Sequence, residues 1–383
     1  MESEGSWELP SRGAGTLADV VPALLHRMGV PDEVDVVGMP EVARACVLLV
    51  DGLGWELLRR HEEDAPFLAS LARGRAPIAS GFPSTTAAGI TSLGTGSPSG
   101  EHGLVGYTFE VGHDELLDTL GWRRHGGGED LRDRYRPEDV QPRVTAWERA
   151  ARAGIAVRAV APHPQRGSGL SRAALRGADF RGVLGFGDLV SGVTEALRPD
   201  RALCYAYHAD LDSLGHVHGP GSDPWRLQLT HVDHVAASIA SRLPAGAALV
   251  VTADHGMVRI ADPVDFDTTP ELRDGVRLLG GEPRVRHVYA EPGATRSVLD
   301  AWREVLDDRA WILSRDAAIN AGWFGAHVPD AHRSRIGDLV VAARGTSAVV
   351  RTTAEPRASA FPGHHGSLDR DEQLVPLLVF RAP

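Results

Sequence analysis

Four separated segments carry the side chains best suited to chemistry, each joining carboxylates or imidazoles to glycine. In Val47-Leu-Leu-Val-Asp51-Gly52 an acidic residue closes an apolar run. Asp212-Ser-Leu-Gly215-His216 follows, with His218 close behind. The third is Val250-Val-Thr-Ala-Asp254-His255-Gly256, and the fourth is Gly363-His364-His365-Gly366. Each has an ordinary reading by itself, since Asp before Gly starts turns, Asp and Thr cap helices, and paired histidines occur in surface loops. Together, Asp51, Asp212 and Asp254 with His216, His255 and His365 form a mixed oxygen and nitrogen ligand set. Such a set suits zinc first, then manganese or iron. It exceeds the needs of one tetrahedral ion with an open position and suffices for two ions sharing a substrate. Two ions about 3.5–4 Å apart can clamp the attacking and leaving oxygens of an in-line phosphoryl displacement.

A nucleophile for that displacement is offered by Gly81-Phe-Pro-Ser84-Thr85-Thr86-Ala87-Ala88-Gly89. After Phe-Pro the chain reads as the start of a helix rich in hydroxyls and small residues. Hydroxyls at a helix start serve as caps. The same place binds phosphate through free amides and the positive end of the helix dipole. A nearby cation would lower the hydroxyl pKa and turn a weak nucleophile into a strong one. Residue type alone leaves Ser84, Thr85 and Thr86 as equal candidates.

These residues must be gathered by the elements between them. Apolar runs at 48–50, 155–160, 201–207, 247–252, 285–290, 338–343 and 374–380 read as strands, and 55–61 and 224–243 as helices. Their alternation predicts an α/β fold with a mostly parallel central sheet covered by helices on both faces. Ligands of such sheets bind beyond the carboxyl ends of the strands. Asp51, Asp212 and Asp254 each follow a strand-like run and are expected on that one edge. The chain is divided into an N-terminal segment, 1–40, and a catalytic domain, 41–383. Two stretches interrupt its rhythm: 112–141, expected as a lid over the site, and 262–283, a second small insertion.

The net charge of −11 argues against a nucleic-acid polymer as partner, because that needs clustered cations. It permits a small anionic substrate, since a few arginines, amides and metal ions reverse the potential locally. Lysine is absent, so every basic charge is arginine. Cys46 and Cys204 lie in apolar, strand-like runs and read as buried free thiols. The first eight residues lack the basic and apolar regions of a secretion signal. No apolar run approaches the roughly 20 residues that span a bilayer. A soluble, cytoplasmic protein without a membrane partner is expected.

The order of these landmarks resembles the type I phosphodiesterase/nucleotide pyrophosphatase family of the alkaline phosphatase superfamily over residues 43–380. Asp51-Gly52 matches its first metal-ligand strand, and Phe82-Pro-Ser-Thr-Thr86 its aromatic-Pro-x-x-Thr segment. Thr95-Gly96-Ser-Pro98 with Glu101-His102-Gly103 is similar to its Thr-Gly…Pro…His-Gly stretch. Tyr207 to Asp212 with Gly215-His216, Asp254-His255-Gly256-Met257 and Gly363-x-His365-Gly366 match in turn.

The resemblance implies an alkaline phosphatase-like fold and two divalent ions, most readily zinc. One would be held by Asp51, Thr86, Asp254 and His255, the other by Asp212, His216 and His365. Thr86 would attack phosphorus, and water would hydrolyse the resulting phosphothreonine, cleaving phosphodiesters or nucleotide pyrophosphates. Tyr207 would line the substrate site, with His208, His218 and His364 in support. Gly89 stands where the resemblance implies an asparagine amide on a phosphate oxygen, so backbone amides, arginine or water must hold the phosphate. This departure bears on the substrate class and keeps a phosphomonoesterase or phosphonate hydrolase as the alternative. Monoesters need an extra cationic contact, for which Arg123, Arg124, Arg132, Arg134 and Arg166 are the candidates. The Cys/Ser-x-Pro-x-Arg context of sulfatases is absent. A catalytically dead metal-binding scaffold is the reading from another class; every ligand and nucleophile position here is filled.

Overall fold

Runs such as Cys46-Val-Leu-Leu-Val50 have no polar face to turn to water, and they become strands buried on both sides. The computed structural model describes residues 15–112 and 114–383, so the expectation about the first eight residues lies outside the described residues. Ten strands build its two main sheets: β1 (Arg44–Val50), β2 (Ala156–Pro162), β3 (Asp179–Val183), β4 (Ala202–His208), β5 (Ala248–Thr252), β6 (Val276–Glu282), β7 (Val285–Ala290), β8 (Ala310–Ser314), β9 (Leu339–Ala343) and β10 (Leu378–Arg381).

The central sheet runs β10-β5-β1-β4-β2-β3, and only β10 is antiparallel to its neighbour. Helices Phe186–Ala196, Asp223–Ala240 and Pro66–Ala72 pack on one face, and Val20–Arg27, Thr86–Thr95 and Ala146–Arg152 on the other. The mostly parallel sheet expected from the alternating pattern is therefore present. Cys46 and Cys204 are neighbours in register on β1 and β4, buried and free.

Three elements depart from the sequence reading, each for a physical reason. Strands at 285–290 and 339–343 form, but in a second, antiparallel sheet of order β6-β7-β9-β8. Its edge strand β6 lies in the stretch read as the second insertion; Gly280 and Gly281 within it and an irregular register hide the strand period. The run at 374–380 splits at Pro376, which has no amide to donate: Leu374–Val375 pairs with Ile78–Ala79, and β10 joins the central sheet. The stretch 112–141 packs into the body of the protein. Leu117, Trp122 and Leu131 bury in a core shared with Phe82, Ala87 and Val285. No helix among the described residues is long and apolar enough to cross a membrane.

Candidate metal centre and active site

Parallel register brings the site together. Val50 of β1 stands beside His208 of β4, and Leu49 beside Thr252 of β5, so the residues that follow emerge at one level. Asp51 leaves β1 directly, and Asp254 follows β5 after a single alanine. Asp212 sits in the first turn of the helix Asp210–His218, and His216 one turn later on the same face. Gly52 has φ +75°, and a Cβ there would lie 3.0 Å from Cα and Cβ of Asp212. Only glycine lets the Asp51 turn approach that helix so closely.

The C-terminal loop delivers the last imidazole. His365 Nδ1 donates to the Ser84 carbonyl at 2.9 Å, and Ser84 N donates to the Gly366 carbonyl at 3.1 Å. That ties the loop to the residues just before the helix of Thr86–Thr95. This helix opens with Thr85 extended and without a side-chain cap on its first amides, which lie beside Thr86.

All three histidines share one pattern. His255 Nδ1 donates to the Gly256 carbonyl at 2.9 Å, and His216 Nδ1 to the Gly363 carbonyl at 2.8 Å, as His365 does to Ser84. With the proton fixed on Nδ1, each Nε2 presents a lone pair to the site. His255 Nε2 lies 3.3 Å from Asp51 Oδ1 and 3.7 Å from Asp254 Oδ2. His216 Nε2 is 3.4 Å and His365 Nε2 3.8 Å from Asp212 Oδ1. The Nε2 atoms of His216 and His365 face one another at 3.2 Å. Two lone pairs at that distance repel unless a cation or proton lies between them.

The carboxylates tell the same story. Among the described residues Asp51 Oδ1, Asp212 Oδ1 and Asp254 Oδ2 are buried and without a hydrogen-bond partner, while the other Asp254 oxygen accepts from the amides of Gly52 and His255. Burial, with Asp254 and Asp212 alongside, pushes the Asp51 carboxyl well above its usual range. Burial raises Asp254 and Asp212 too, and lowers His255 and His365. A divalent charge among these groups removes the penalty on the carboxylates. Donor atoms of Asp51, Asp254 and His255 lie mutually within 4.8 Å, as do those of Asp212, His255 and His365. The donor set fits divalent metal; the two groups share His255, whose ring stacks on that of His365 at 3.5 Å.

Thr86 Oγ1 donates to His255 Nε2 at 3.1 Å, whereas Ser84 Oγ points away to the Ser367 carbonyl at 2.7 Å. Geometry thus separates hydroxyls that residue type left equal. Tyr207 reaches in from β4 and donates its hydroxyl to Asp51 Oδ2, so it orients a carboxylate as well as lining the edge. Gly89 does not open toward a substrate: a Cβ there would sit 2.7 Å from Asp254 Cβ. Its smallness lets the helix lie against the Asp254 turn, and no side chain at 89 could carry a phosphate contact. His364 packs near His216, ring centroids 5.6 Å apart, with a buried, unpartnered Nε2. His208 instead bonds Gln228 and touches Phe186, and His218 contributes its carbonyl to Arg259.

Of the arginines, Arg124 and Arg134 are consumed by Glu115, while Arg123, Arg132 and Arg166 line one cleft. The sequence reading missed Glu282, buried at the end of β6 with Oε2 3.9 Å from His365 Nδ1. Burial pushes its carboxyl up to about 8. It lay inside a stretch read as an insertion, and nothing in its local sequence signals the approach.

A mostly parallel sheet with buried acids and imidazoles at its carboxyl edge defines an alkaline phosphatase-like hydrolase fold. The chain belongs to the type I phosphodiesterase / nucleotide pyrophosphatase family, whose model matches residues 45–368. It is similar to murine ectonucleotide pyrophosphatase/phosphodiesterase 5 in an inactive form with AMP, at 17% identity and TM-score 0.68 over 88% of this chain and 87% of that one. The human counterpart gives 17% identity and TM-score 0.66, covering 88% and 89%. Phosphonoacetate hydrolase from Sinorhizobium meliloti with phosphonoformate gives 20% identity and TM-score 0.64, covering 89% and 90%. At these identities the likeness is one of fold. A search of curated proteins finds no match.

Proposed function

We propose that this chain hydrolyses phosphodiester or nucleotide pyrophosphate bonds, using two divalent cations and a phosphothreonine formed on Thr86. The observation that carries this reading is the set of unpartnered carboxylate oxygens facing histidine lone pairs, with the Thr86 hydroxyl among them. Asp51, Asp254, His255 and Thr86 would hold one ion, and Asp212, His216 and His365 the other. Bound there, zinc would supply Lewis-acid stabilisation of the developing charge and a lowered hydroxyl pKa.

The chain's own groups account for the rest. Thr86 gives up its hydroxyl proton to solvent, Oγ1 bonds to phosphorus, and the ester bond to the leaving group breaks. The leaving oxygen takes a proton from solvent. Water then cleaves the Oγ1–P bond and restores the hydroxyl. Amides at the start of the Thr86 helix hold the phosphate oxygens, the role that no side chain at Gly89 can fill. Tyr207 fixes Asp51 by its hydrogen bond.

The test is a comparison of bis(p-nitrophenyl) phosphate with p-nitrophenyl phosphate at matched zinc. The reading expects the diester to be favoured in kcat/KM by about tenfold, some 1.4 kcal/mol of transition-state discrimination. A strong monoester preference contradicts it.

A further inference from the structure

Arg123, Arg132 and Arg166 come from two segments 34 residues apart or more in the chain, yet they share one cleft of about 400 Å³ with Asp130, Ser168 and Gly169. Their charges are not equally available. Arg132 is held by Asp130, its Nε 3.0 Å from both carboxylate oxygens. Arg166 lies over the Phe180 ring, 5.4 Å from its centroid. Among the described residues neither Arg123 nor Arg166 forms an ion pair, whereas Arg124 and Arg134 nearby both pair with Glu115. Both are exposed, and Asp130 is the one carboxylate among the lining residues against three guanidinium groups. Such an excess of guanidinium charge attracts an anion.

The place of the cleft in the fold gives it a purpose. Pro164 to Gly169 follow directly from the carboxyl end of β2, on the sheet edge that carries Asp51 and Asp254. In the sheet β4 alone separates β2 from β1, so the two carboxyl ends are roughly 10 Å apart, two strand spacings. The helix Gly169–Ala174 packs on the helix of Thr86, and a Cβ at Gly169 would strike the buried Trp122. The cleft and the Thr86 site are thus parts of one edge.

We propose that this cleft binds a second anionic group of the substrate, a carboxylate or phosphate on an arm reaching beyond the scissile phosphate, with Arg123 and Arg166 as its contacts. The inference rests on the diesterase reading and adds a substrate class to it: esters with a second anionic centre on an arm that can cross two strand spacings, on the order of 10 Å.

The test uses p-nitrophenyl phosphodiesters that differ only at the end of a flexible arm long enough to span that distance. The arm ends in a carboxylate, a phosphate, a neutral methyl ether or an ammonium group. The zinc-loaded full chain is expected to favour the anionic arms over the neutral one by about tenfold in kcat/KM at low salt. The carboxylate and phosphate arms show which oxyanion fits better. The preference should shrink as salt screens it. In the double variant R123A/R166A the ratio should fall toward one, and in R123E/R166E it should turn in favour of the ammonium arm, an inversion that a merely structural role would not produce. R124A, whose charge is already spent on Glu115, should keep the preference. Absence of an anionic preference in the wild type, or its persistence in R123A/R166A, overturns the inference while the diesterase reading stands. Failure of the folded, zinc-loaded wild type to cleave any of the four overturns both.

Discussion

Three aspartate oxygens at this site have no hydrogen-bond partner, although burial makes an unmet acceptor costly, about 1–3 kcal/mol each. A chain keeps such groups where something else satisfies them, and the facing Nε2 lone pairs leave a cation as the partner that satisfies both kinds of donor. Thr86 aims its hydroxyl at this cluster beside that of Tyr207. Thr86→Ala should lower kcat on the order of 10⁴-fold or more while leaving zinc content and the melting curve nearly unchanged. Single-turnover kinetics and metal analysis of the same preparation check this, and surviving turnover would reassign the nucleophile. Gly89→Ala makes a second demand. Alanine favours a helix over glycine by about 1 kcal/mol, but its Cβ would lie 2.7 Å from Asp254 Cβ. Overpacking of this kind costs about 1–3 kcal/mol, so the substitution should destabilise the protein and displace Asp254. Denaturation together with zinc retention reads both effects; a variant stabilised at full activity would show that the contact is not as tight as described.

Among the elements, the loop bearing His365 depends on a buried ionic clamp from the second sheet. Arg284, in the turn between β6 and β7, donates to Glu372 at 2.6 Å and to Asp369 at 2.7 Å, and Glu372 accepts from the Ser367 amide at 3.0 Å. Arg284 and Glu372 are both fully buried. Removing one partner of such a pair typically costs 3–5 kcal/mol, because the other charge is stranded. Glu372→Ala should therefore lose about 3 kcal/mol in chemical denaturation and bind zinc more weakly through a loosened His365 loop. A loss below about 0.5 kcal/mol, the size of a surface effect, would contradict the clamp. This scale is also where sequence and structure part company. The strands that launch Asp51 and Asp254 were legible because their apolar runs end abruptly in a carboxylate. The ligand set was legible because Asp and His recur beside glycine at short spacings. β6, β3 and the clamp were not: β6 is interrupted by two glycines, β3 is a short edge strand carrying Asp179 and Arg181, and Arg284 meets Glu372 across 88 positions. No local pattern reports a pairing at that separation.

For the molecule as a whole, the division of labour is between a parallel sheet that supplies aspartates and an antiparallel one that braces the C-terminal loop. The acidic chain, at −11, gathers Arg123, Arg132 and Arg166 in one cleft. The order of ligands was readable from the sequence; which face each histidine nitrogen turns inward was not, because backbone carbonyls of Gly256, Gly363 and Ser84 decide it. The central claim is that Asp51, Asp254, His255 and Thr86, with Asp212, His216 and His365, enclose two divalent ions. Anomalous diffraction at the zinc edge from crystals of the zinc-loaded protein tests it directly. The account predicts two peaks about 3.5–4 Å apart, one beside Thr86 and the other between Asp212 and His365. A single peak, or none at these residues, would contradict it.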